Sequence, residues 1–381
     1  MSFNFRFGIA SDLHIAVEET IFHHPKRFHL VEVSIPSFKQ VIEHFKTLDL
    51  DFLLLPGDLT QDGEPENHQW LADYLQTLPF PVYVIPGNHD IPTISGENPH
   101  KNPAIPAHQF PNYYSHCGYH KTEKLYYTTE IYPGVQLVAL NSNIFDANGK
   151  QLGCLDEEQL QWLENLLPTL EDQLVLVMIH HNVIEHFPGQ ADHELSNRYM
   201  LDNAPRLKEL LKTYGVRLIF TGHLHIQDIA KEGSLYEITT GSMVSYPHPY
   251  RVIEISSESR EQITLNIQSH WVKTIPGWED LLDFSREWMG DRADPFMMKL
   301  LTKPPLNLPV EEAKQFVPDL RYFWAEIAQG DAVFSFPHFP PQVKAFFEKF
   351  SEAEKLKVHK LSDNHTQFHL KSKNLSRKER G

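Results

Sequence analysis

The sequence predicts an α/β protein with two packed sheets and a mainly helical extension at its C-terminal side. Over the first two-thirds of the 381 residues, short apolar runs alternate with helical patterns, which is typical of sheets covered by helices. A second β-rich run then follows, and it indicates a second sheet. Near residue 275 the chain changes character, because tryptophans, phenylalanines and proline clusters surround helical patterns.

The elements before residue 91 form a regular series in which strands and helices alternate. Strands are predicted at 5–10, 51–56 and 81–86, and helices at 35–48 and 66–78. Residues 91–122 break this rhythm, since they are rich in Pro, Asn and His and show little periodicity. They predict a long irregular loop, a feature that is uncommon in compact domains unless it has a function.

The series resumes beyond this loop and ends in strands without intervening helices. Strands are predicted at 124–132, 135–142, 173–181 and 216–225, helices at 156–167 and 203–215, and antiparallel strands at 234–242, 250–256 and 262–272. Helices near 278–301, 310–329 and 340–352 form the extension. We therefore expect an α/β domain over 1–272, a helical extension over 273–370 and a basic flexible tail over 371–381.

Composition narrows the classes of partner and location. The net charge of −16 makes nucleic acid an unsuitable partner, because backbone binding needs a basic surface. No apolar run approaches the about 20 residues of a membrane span, and the N-terminal residues lack a signal-peptide pattern. With two cysteines the chain has no disulfide framework. We expect a cytoplasmic protein with no membrane association.

Five predicted strands end directly in side chains that can bind a metal. These side chains are Asp12 and His14, then Asp58, then Asn88, His89 and Asp90, then His180 and His181, and finally His223 and His225. Because the carboxyl ends of such strands lie along one edge of a sheet, the side chains should meet there. A single pattern means little, since 23 histidines produce about one H-x-H pair by chance. The repeated placement at strand ends carries the prediction.

The expected donor set combines nitrogen and oxygen and contains no thiolate. It comprises His14, His180, His223, His225, Asp12, Asp58 and Asn88. Such ligands suit Mn, Fe or Zn. Seven ligands are too many for one tetrahedral zinc ion and suit two ions about 4 Å apart that share a carboxylate. Asp58 is the natural bridge.

The ordered motifs D-x-H, G-D, G-N-H-D, H-H and G-H-x-H, over about residues 5–270, resemble the calcineurin-like metallophosphoesterase superfamily. Within it, the chain looks most like the cyclic-nucleotide and glycerophosphodiester phosphodiesterase branch. The resemblance implies a four-layer αββα sandwich with two divalent or trivalent metal ions. It also implies ligands: Asp12, His14 and His225 for the first ion, Asn88, His180 and His223 for the second, and Asp58 for both.

The resemblance also implies catalytic roles. His89 would face the substrate phosphate, Asp90 would orient nearby groups, and Asp58 would hold both ions, whereas His181 would lie outside the ligand set. The expected reaction is hydrolysis of a small phosphodiester by a hydroxide that bridges the metals. Two alternatives stay open: a phosphomonoesterase, and a weakly catalytic metal-binding scaffold of the same fold. The charge disfavours a DNA nuclease.

Two further segments are candidates for the mouth of the site, with plain surface as the alternative for both. One is the 91–122 loop, with His100, His108, Tyr113, Tyr114 and His116. The other is 23–29, where Lys26 and Arg27 could meet a phosphate. The oligomeric state is open, and a homodimer is one option.

Overall fold

The computed structural model describes residues 2–23, 27–92, 104–146, 151–259, 262–351 and 361–371. The strands are β1 Phe3–Ile9, β2 Phe52–Leu55, β3 Val82–Val84, β4 Tyr127–Tyr132, β5 Val135–Ala139, β6 Asn143–Phe145, β7 Gln151–Gly153, β8 Leu174–Met178, β9 Leu218–Thr221, β10 Asp228–Glu232, β11 Leu235–Thr239, β12 Pro249–Ser259, β13 Gln262–Trp271 and β14 His365–Lys371. The α-helices are α1 Ser34–Lys46, α2 Pro65–Gln76, α3 Phe110–Tyr113, α4 Glu157–Leu166, α5 Ala204–Thr213, α6 Leu281–Gly290, α7 Asp294–Thr302, α8 Val310–Ala313, α9 Phe323–Gln329 and α10 Pro341–Glu348.

The strands form two six-stranded mixed sheets. The first has the order β14-β13-β12-β1-β2-β3 and the second β10-β11-β9-β8-β5-β4. In the first sheet β1, β2 and β3 run parallel, and in the second β5, β8, β9 and β11 do. The parallel strands therefore bring their carboxyl ends to one edge of each sheet.

Alternating side chains of the second sheet face two different cores. Met178 and Phe220 point into the core between the sheets, where Phe220 meets Phe7 edge-on at 5.6 Å between ring centroids. Val177 and Ile219 belong to the separate core under helices α4 and α5. This alternation is the period-two pattern of a strand that is covered on both faces. Together with α1 and α2 beside the first sheet, it confirms the predicted four-layer arrangement.

The C-terminal extension has its own core, and that core rests on the α/β part. Met297 and Phe347 cluster with Leu224 and Ile226, which flank His225. The chain then returns to the first sheet, because β14 pairs antiparallel with β13. The sequence did not predict β14. The extension is mainly helical, as expected. The boundary at 272 stays a prediction, and residues 372–381 of the predicted tail lie outside the described residues.

A buried arginine fixes the segment that leads into β14. Arg251 of β12 is fully buried, and its guanidinium donates to the backbone oxygens of Asp363 at 2.6 Å and Thr239 at 3.0 Å. It therefore joins both sheets to the end of the extension. No helix in the described ranges is long and apolar enough to span a bilayer.

The prediction of an irregular loop over residues 91–122 is wrong for the second half of that range. Phe110, Tyr114 and Cys117 are fully buried, and α3 with two short 3-10 turns carries them. The Tyr114 hydroxyl lies 2.9 Å from Nδ1 of His68, so Tyr114 is a core residue and does not line the mouth of a site. Aromatic side chains one helical turn apart gave the segment a buried face. Residues 93–103, including His100, lie outside the described residues.

Burial of His248 predicts a loss of stability in acid. Burial lowers the pKa of this imidazole from 6.5 to about 4, and Nδ1 donates to the oxygen of Met243 at 2.9 Å. As the pH falls from 6.5 to about 4, the unfolded chain takes up a proton that the folded chain refuses. The free energy of unfolding should therefore fall across this window, by about 3 kcal/mol from this residue.

The matched variant is His248→Asn, because asparagine tolerates the φ of 57° found here and keeps an amide donor without a titrating group. Urea unfolding of the metal-free protein at a series of pH values should show a shallower pH dependence for the variant, by about one proton. An identical slope in both proteins would contradict this account.

Candidate metal centre

The five strand ends converge where the edges of the two sheets meet. Donor atoms of Asp12, His14, Asp58 and His225 lie within 4.8 Å of one another and form a first donor group. Asp58, His180 and His223 satisfy the same distance and form a second donor group. The amide oxygen of Asn88 lies 3.3 Å from Nε2 of His180 and joins the second group. The structure thus brings together all seven predicted donors.

Asp58 is the one residue that both donor groups contain. Its Oδ2 lies 3.3 Å from Nε2 of His180 and 3.9 Å from Nε2 of His14. Its Oδ1 accepts a hydrogen bond from the His89 amide at 2.8 Å, which fixes the plane of the carboxylate. The side chain is only 2% exposed, so its negative charge depends on these neighbours for compensation.

Backbone strain marks the donors. Five of them have positive φ: Asp12 at 51°, His14 at 42°, Asp58 at 49°, His223 at 66° and His225 at 59°. Such angles are uncommon for residues other than glycine, and they cost on the order of 1 kcal/mol each. Strain of this kind persists only where surrounding structure enforces it, and it clusters at functional sites.

Two motif glycines let the backbone approach the carboxylates. A Cβ at Gly87 would lie 2.2 Å from both the amide nitrogen and Oδ1 of Asp58. A Cβ at Gly222 would lie 2.5 Å from Oδ2 of Asp12. These distances are far below van der Waals contact, so the glycines of the G-N-H-D and G-H-x-H motifs serve close packing around the donors.

The chemistry of the donors fits divalent cations. Neither ring nitrogen of buried His14 has a hydrogen-bond partner among the described residues, which is costly unless a ligand occupies that space. Burial holds the pKa values of His14 and His223 well below their usual range, so both rings are neutral and offer lone pairs. Nδ1 of His180 donates to the oxygen of Pro56 at 2.8 Å, and this directs Nε2 toward Asp58.

His89 faces the centre from its open side. Its ring centroid lies 4.7 Å from that of His14, and its side chain is 30% exposed. Nδ1 donates to the oxygen of Gln61 at 2.7 Å, which leaves Nε2 free to meet a ligand. Burial lowers the pKa of His89, but the charge of Asp58 and the contact with Asp62 outweigh burial and raise the pKa to about 10. A neighbouring cation would lower that pKa.

Asp90 holds the backbone around the donors and is a positioning residue. Oδ1 accepts from the amide and hydroxyl of Thr60 at 2.8 and 2.9 Å, and Oδ2 accepts from the amides of Gly87 and Leu59 at 2.8 and 3.1 Å. The three bonds from Leu59 and Thr60 tie the loop after β2 to the loop after β3, and the bond from Gly87 lies within the latter loop. Asp90 thus fixes Asp58 relative to its neighbours and does not itself face the open side of the centre.

His181 joins neither donor group. Its Nδ1 lies 2.7 Å from the hydroxyl of Ser142, and its Nε2 lies 2.6 Å from the side-chain nitrogen of Gln151 in the β6–β7 hairpin. Burial lowers its pKa to about 3. This placement agrees with the expectation that His181 lies outside the ligand set.

The 23–29 segment contributes a residue that sequence reasoning missed. Arg27, a candidate for a phosphate contact, pairs with Glu32 and donates to the oxygen of Phe22 at 3.0 Å. Lys26 lies outside the described residues. The ring of His29, however, lies 4.1 Å from that of His14. No strand or motif precedes His29, so nothing local distinguished it in a chain with 23 histidines.

The chain matches the calcineurin-like phosphoesterase family over residues 5–227, which is more than half of its length. It belongs to this family, whose members are metal-dependent phosphoesterases, and the resemblance drawn from the motifs is confirmed.

Relatives with named activities are similar over a shorter stretch. A probable cyclic nucleotide phosphodiesterase of Moraxella catarrhalis is 28% identical over 200 residues, covering 50% of this chain and 65% of the relative. A probable glycerophosphodiester phosphodiesterase GpdQ of Arcobacter nitrofigilis is 31% identical over 176 residues, covering 46% and 56%. The 3',5'-cyclic adenosine monophosphate phosphodiesterase CpdA of Haemophilus influenzae is 26% identical over 205 residues, covering 53% and 65%. The chain thus spans less than two thirds of each relative.

Gly87→Ala should weaken metal binding, because the new methyl group would displace the Asp58 backbone and carboxylate. We expect the affinity for Mn²⁺, measured by titration calorimetry, to fall by about tenfold or more. The control is Gly233→Asn, since a Cβ there meets nothing within 4 Å and asparagine tolerates the φ of 62°. Equal affinities in Gly87→Ala and the wild type would refute the role of close approach.

Proposed function

We propose that the protein is a dinuclear metal-dependent phosphodiesterase that hydrolyses a small phosphodiester of the cyclic-nucleotide or glycerophosphodiester type. One observation carries the dinuclear part: the carboxylate of Asp58 belongs to two donor groups at once. Asp12, His14 and His225 would complete a first metal position, and Asn88, His180 and His223 a second. The mixed nitrogen and oxygen donors suit Mn, Fe or Zn.

The bound cations would supply a water nucleophile active near neutral pH and offset charge on the phosphoryl oxygens. The protein's own residues would fix the geometry of the metal positions. Asp58 would set the spacing of the two positions, since its carboxylate belongs to both donor groups. The buried donors, together with the backbone bonds to Asp90, hold the centre rigid before substrate arrives.

His89 is the catalytic side chain that this arrangement assigns to the substrate. Its Nδ1 is held by the oxygen of Gln61, so Nε2 points to the open side in a fixed orientation. When protonated, Nε2 can donate to a phosphoryl oxygen or give its proton to the leaving alkoxide. A scaffold that only bound metal would have no need of this group, and its presence supports an enzyme.

The choice of a phosphodiester draws support from the relatives. Their printed names describe cyclic nucleotide and glycerophosphodiester phosphodiesterases, although each is matched over part of its length. A phosphomonoesterase remains the competing reaction, and the assay below separates the two.

The proposal is tested with Mn²⁺-loaded protein and a panel of substrates. The panel comprises 3',5'-cyclic AMP, glycerophosphoethanolamine, bis-p-nitrophenyl phosphate and the monoester p-nitrophenyl phosphate. We expect kcat/KM for at least one diester to exceed that for the monoester by about tenfold or more. A preference for the monoester would assign a phosphomonoesterase, and no turnover by fully metal-loaded protein would assign a scaffold.

His89→Ala should lower kcat by about 100-fold while both metal positions stay filled, because the imidazole acts on substrate and joins neither donor group. Turnover of the best diester and metal content by mass spectrometry are measured on the same preparation. His369→Ala, which removes an exposed imidazole from β14, is the control. Wild-type turnover in metal-replete His89→Ala would remove His89 from the mechanism.

A further inference from the structure

A third imidazole lies beside the first donor group. The ring centroid of His29 is 4.1 Å from that of His14 and 4.9 Å from that of His225. Donor nitrogens of these three residues all lie within 4.8 Å of one another. This group shares His14 and His225 with the first donor group, and His29 approaches that group from the side of these two imidazoles.

The C-terminal extension fixes the segment that carries this imidazole. Nε1 of Trp288, in α6, donates to the oxygen of Phe28 at 2.9 Å, and Nε of Arg292 donates to the oxygen of Arg27 at 2.9 Å. The guanidinium of Arg292 also stacks on the Trp288 ring at 3.3 Å. The two peptide oxygens that precede His29 in the chain are therefore both anchored by the extension.

The α/β part holds the other side of the same segment. The amide of Leu30 donates to the oxygen of Val244 at 2.8 Å. His29 thus sits between two anchored neighbours, and its ring orientation depends on both parts of the molecule. A half-buried side chain held in this way loses little additional freedom when it binds a ligand.

We propose that His29 is a further protein ligand at the first metal position, where it forms a three-imidazole set with His14 and His225. The inference rests on the proposed function for the existence of that position. Ligands of one ion at about 2.1 Å lie up to about 4.2 Å apart, so a ring shift of under about one ångström would bring the three imidazole nitrogens, now within 4.8 Å of one another, into that range.

A His29 ligand would give the first metal position a preference among metal ions. Three imidazoles favour Zn²⁺ and Fe²⁺, whereas carboxylate, carbonyl and water ligands favour Mn²⁺ and Mg²⁺. His29 therefore biases the first position toward a nitrogen-preferring ion. The unpartnered ring nitrogens of neighbouring His14 show that this side of the centre offers donors that protein hydrogen bonds leave unused.

A contact with substrate is the competing role for His29. Its ring centroid lies 5.7 Å from that of His89, and both side chains are partly exposed, so both could meet a substrate. The ring centroids of His14 and His225 lie closer to that of His29, at 4.1 and 4.9 Å, and this favours the metal. The two roles differ in what they predict without substrate, because only a metal ligand changes the affinity for the ion.

The test is a Zn²⁺ against Mn²⁺ competition titration of metal-free protein in the absence of substrate. His29→Ala should lower Zn²⁺ affinity at one of two positions by about tenfold or more and leave Mn²⁺ affinity less changed. The control His369→Ala, which removes an exposed imidazole from β14, should bind both ions as the wild type does. Trp288→Phe keeps a ring under Arg292 but loses the Nε1 donor, and it should lower Zn²⁺ affinity by a smaller factor.

Unchanged Zn²⁺ affinity in folded His29→Ala overturns the proposal, and a raised KM for the diester in that variant would assign a substrate contact instead. If His29→Ala does not fold, Trp288→Phe decides, since wild-type Zn²⁺ affinity there also contradicts the proposal. The measured quantity is the Zn²⁺ affinity, which does not depend on whether the protein turns over a substrate. Inactivity toward every substrate with a lowered Zn²⁺ affinity in His29→Ala would sink the proposed function alone.

Discussion

A single buried carboxylate, that of Asp58, orders the whole centre. It is 2% exposed and lies between imidazoles from two directions, with His14 on one side and His180 on the other. A charge in such a place is tolerated only when positive groups or ions compensate it. The fold supplies the conditions for that compensation, because the parallel strands of two different sheets end at this one point. The close approach of Gly87 and the bonds made by Asp90 then leave the carboxylate little freedom to move.

The C-terminal extension packs against the segment that carries His223 and His225. In the G-H-L-H segment and the residue that follows it, His223 and His225 face the donors, while Leu224 and Ile226 pack into the core of the extension. Alternate side chains of one short segment thus face the donor groups and the core of the extension, and loosening the extension would move both candidate donors directly. The hydrogen bonds from Trp288 and Arg292 to the two residues before His29 add a second connection between the extension and the centre. The extension is accordingly part of the architecture of the site.

The sequence predicted those features that repeat or that follow a strand. Apolar runs ending in Asp, Asn or His marked all seven donors, because strand direction alone brings their ends together. Prediction from the sequence failed where the role of a residue depends on packing against distant parts of the chain. Tyr114 lies in a segment without clear periodicity and is nevertheless core, and β14 gains its place by pairing with β13 across about a hundred residues of helical chain. His29 was missed for the same reason, since it approaches His14 only through its anchors.

The central claim is that one carboxylate serves two ions, and anomalous diffraction from crystals grown with Mn²⁺ tests it most directly. The account predicts two anomalous peaks about 3.5–4 Å apart, both within coordination distance of the Asp58 carboxylate. A single peak at full occupancy, or two peaks of which one lies away from Asp58, would contradict it.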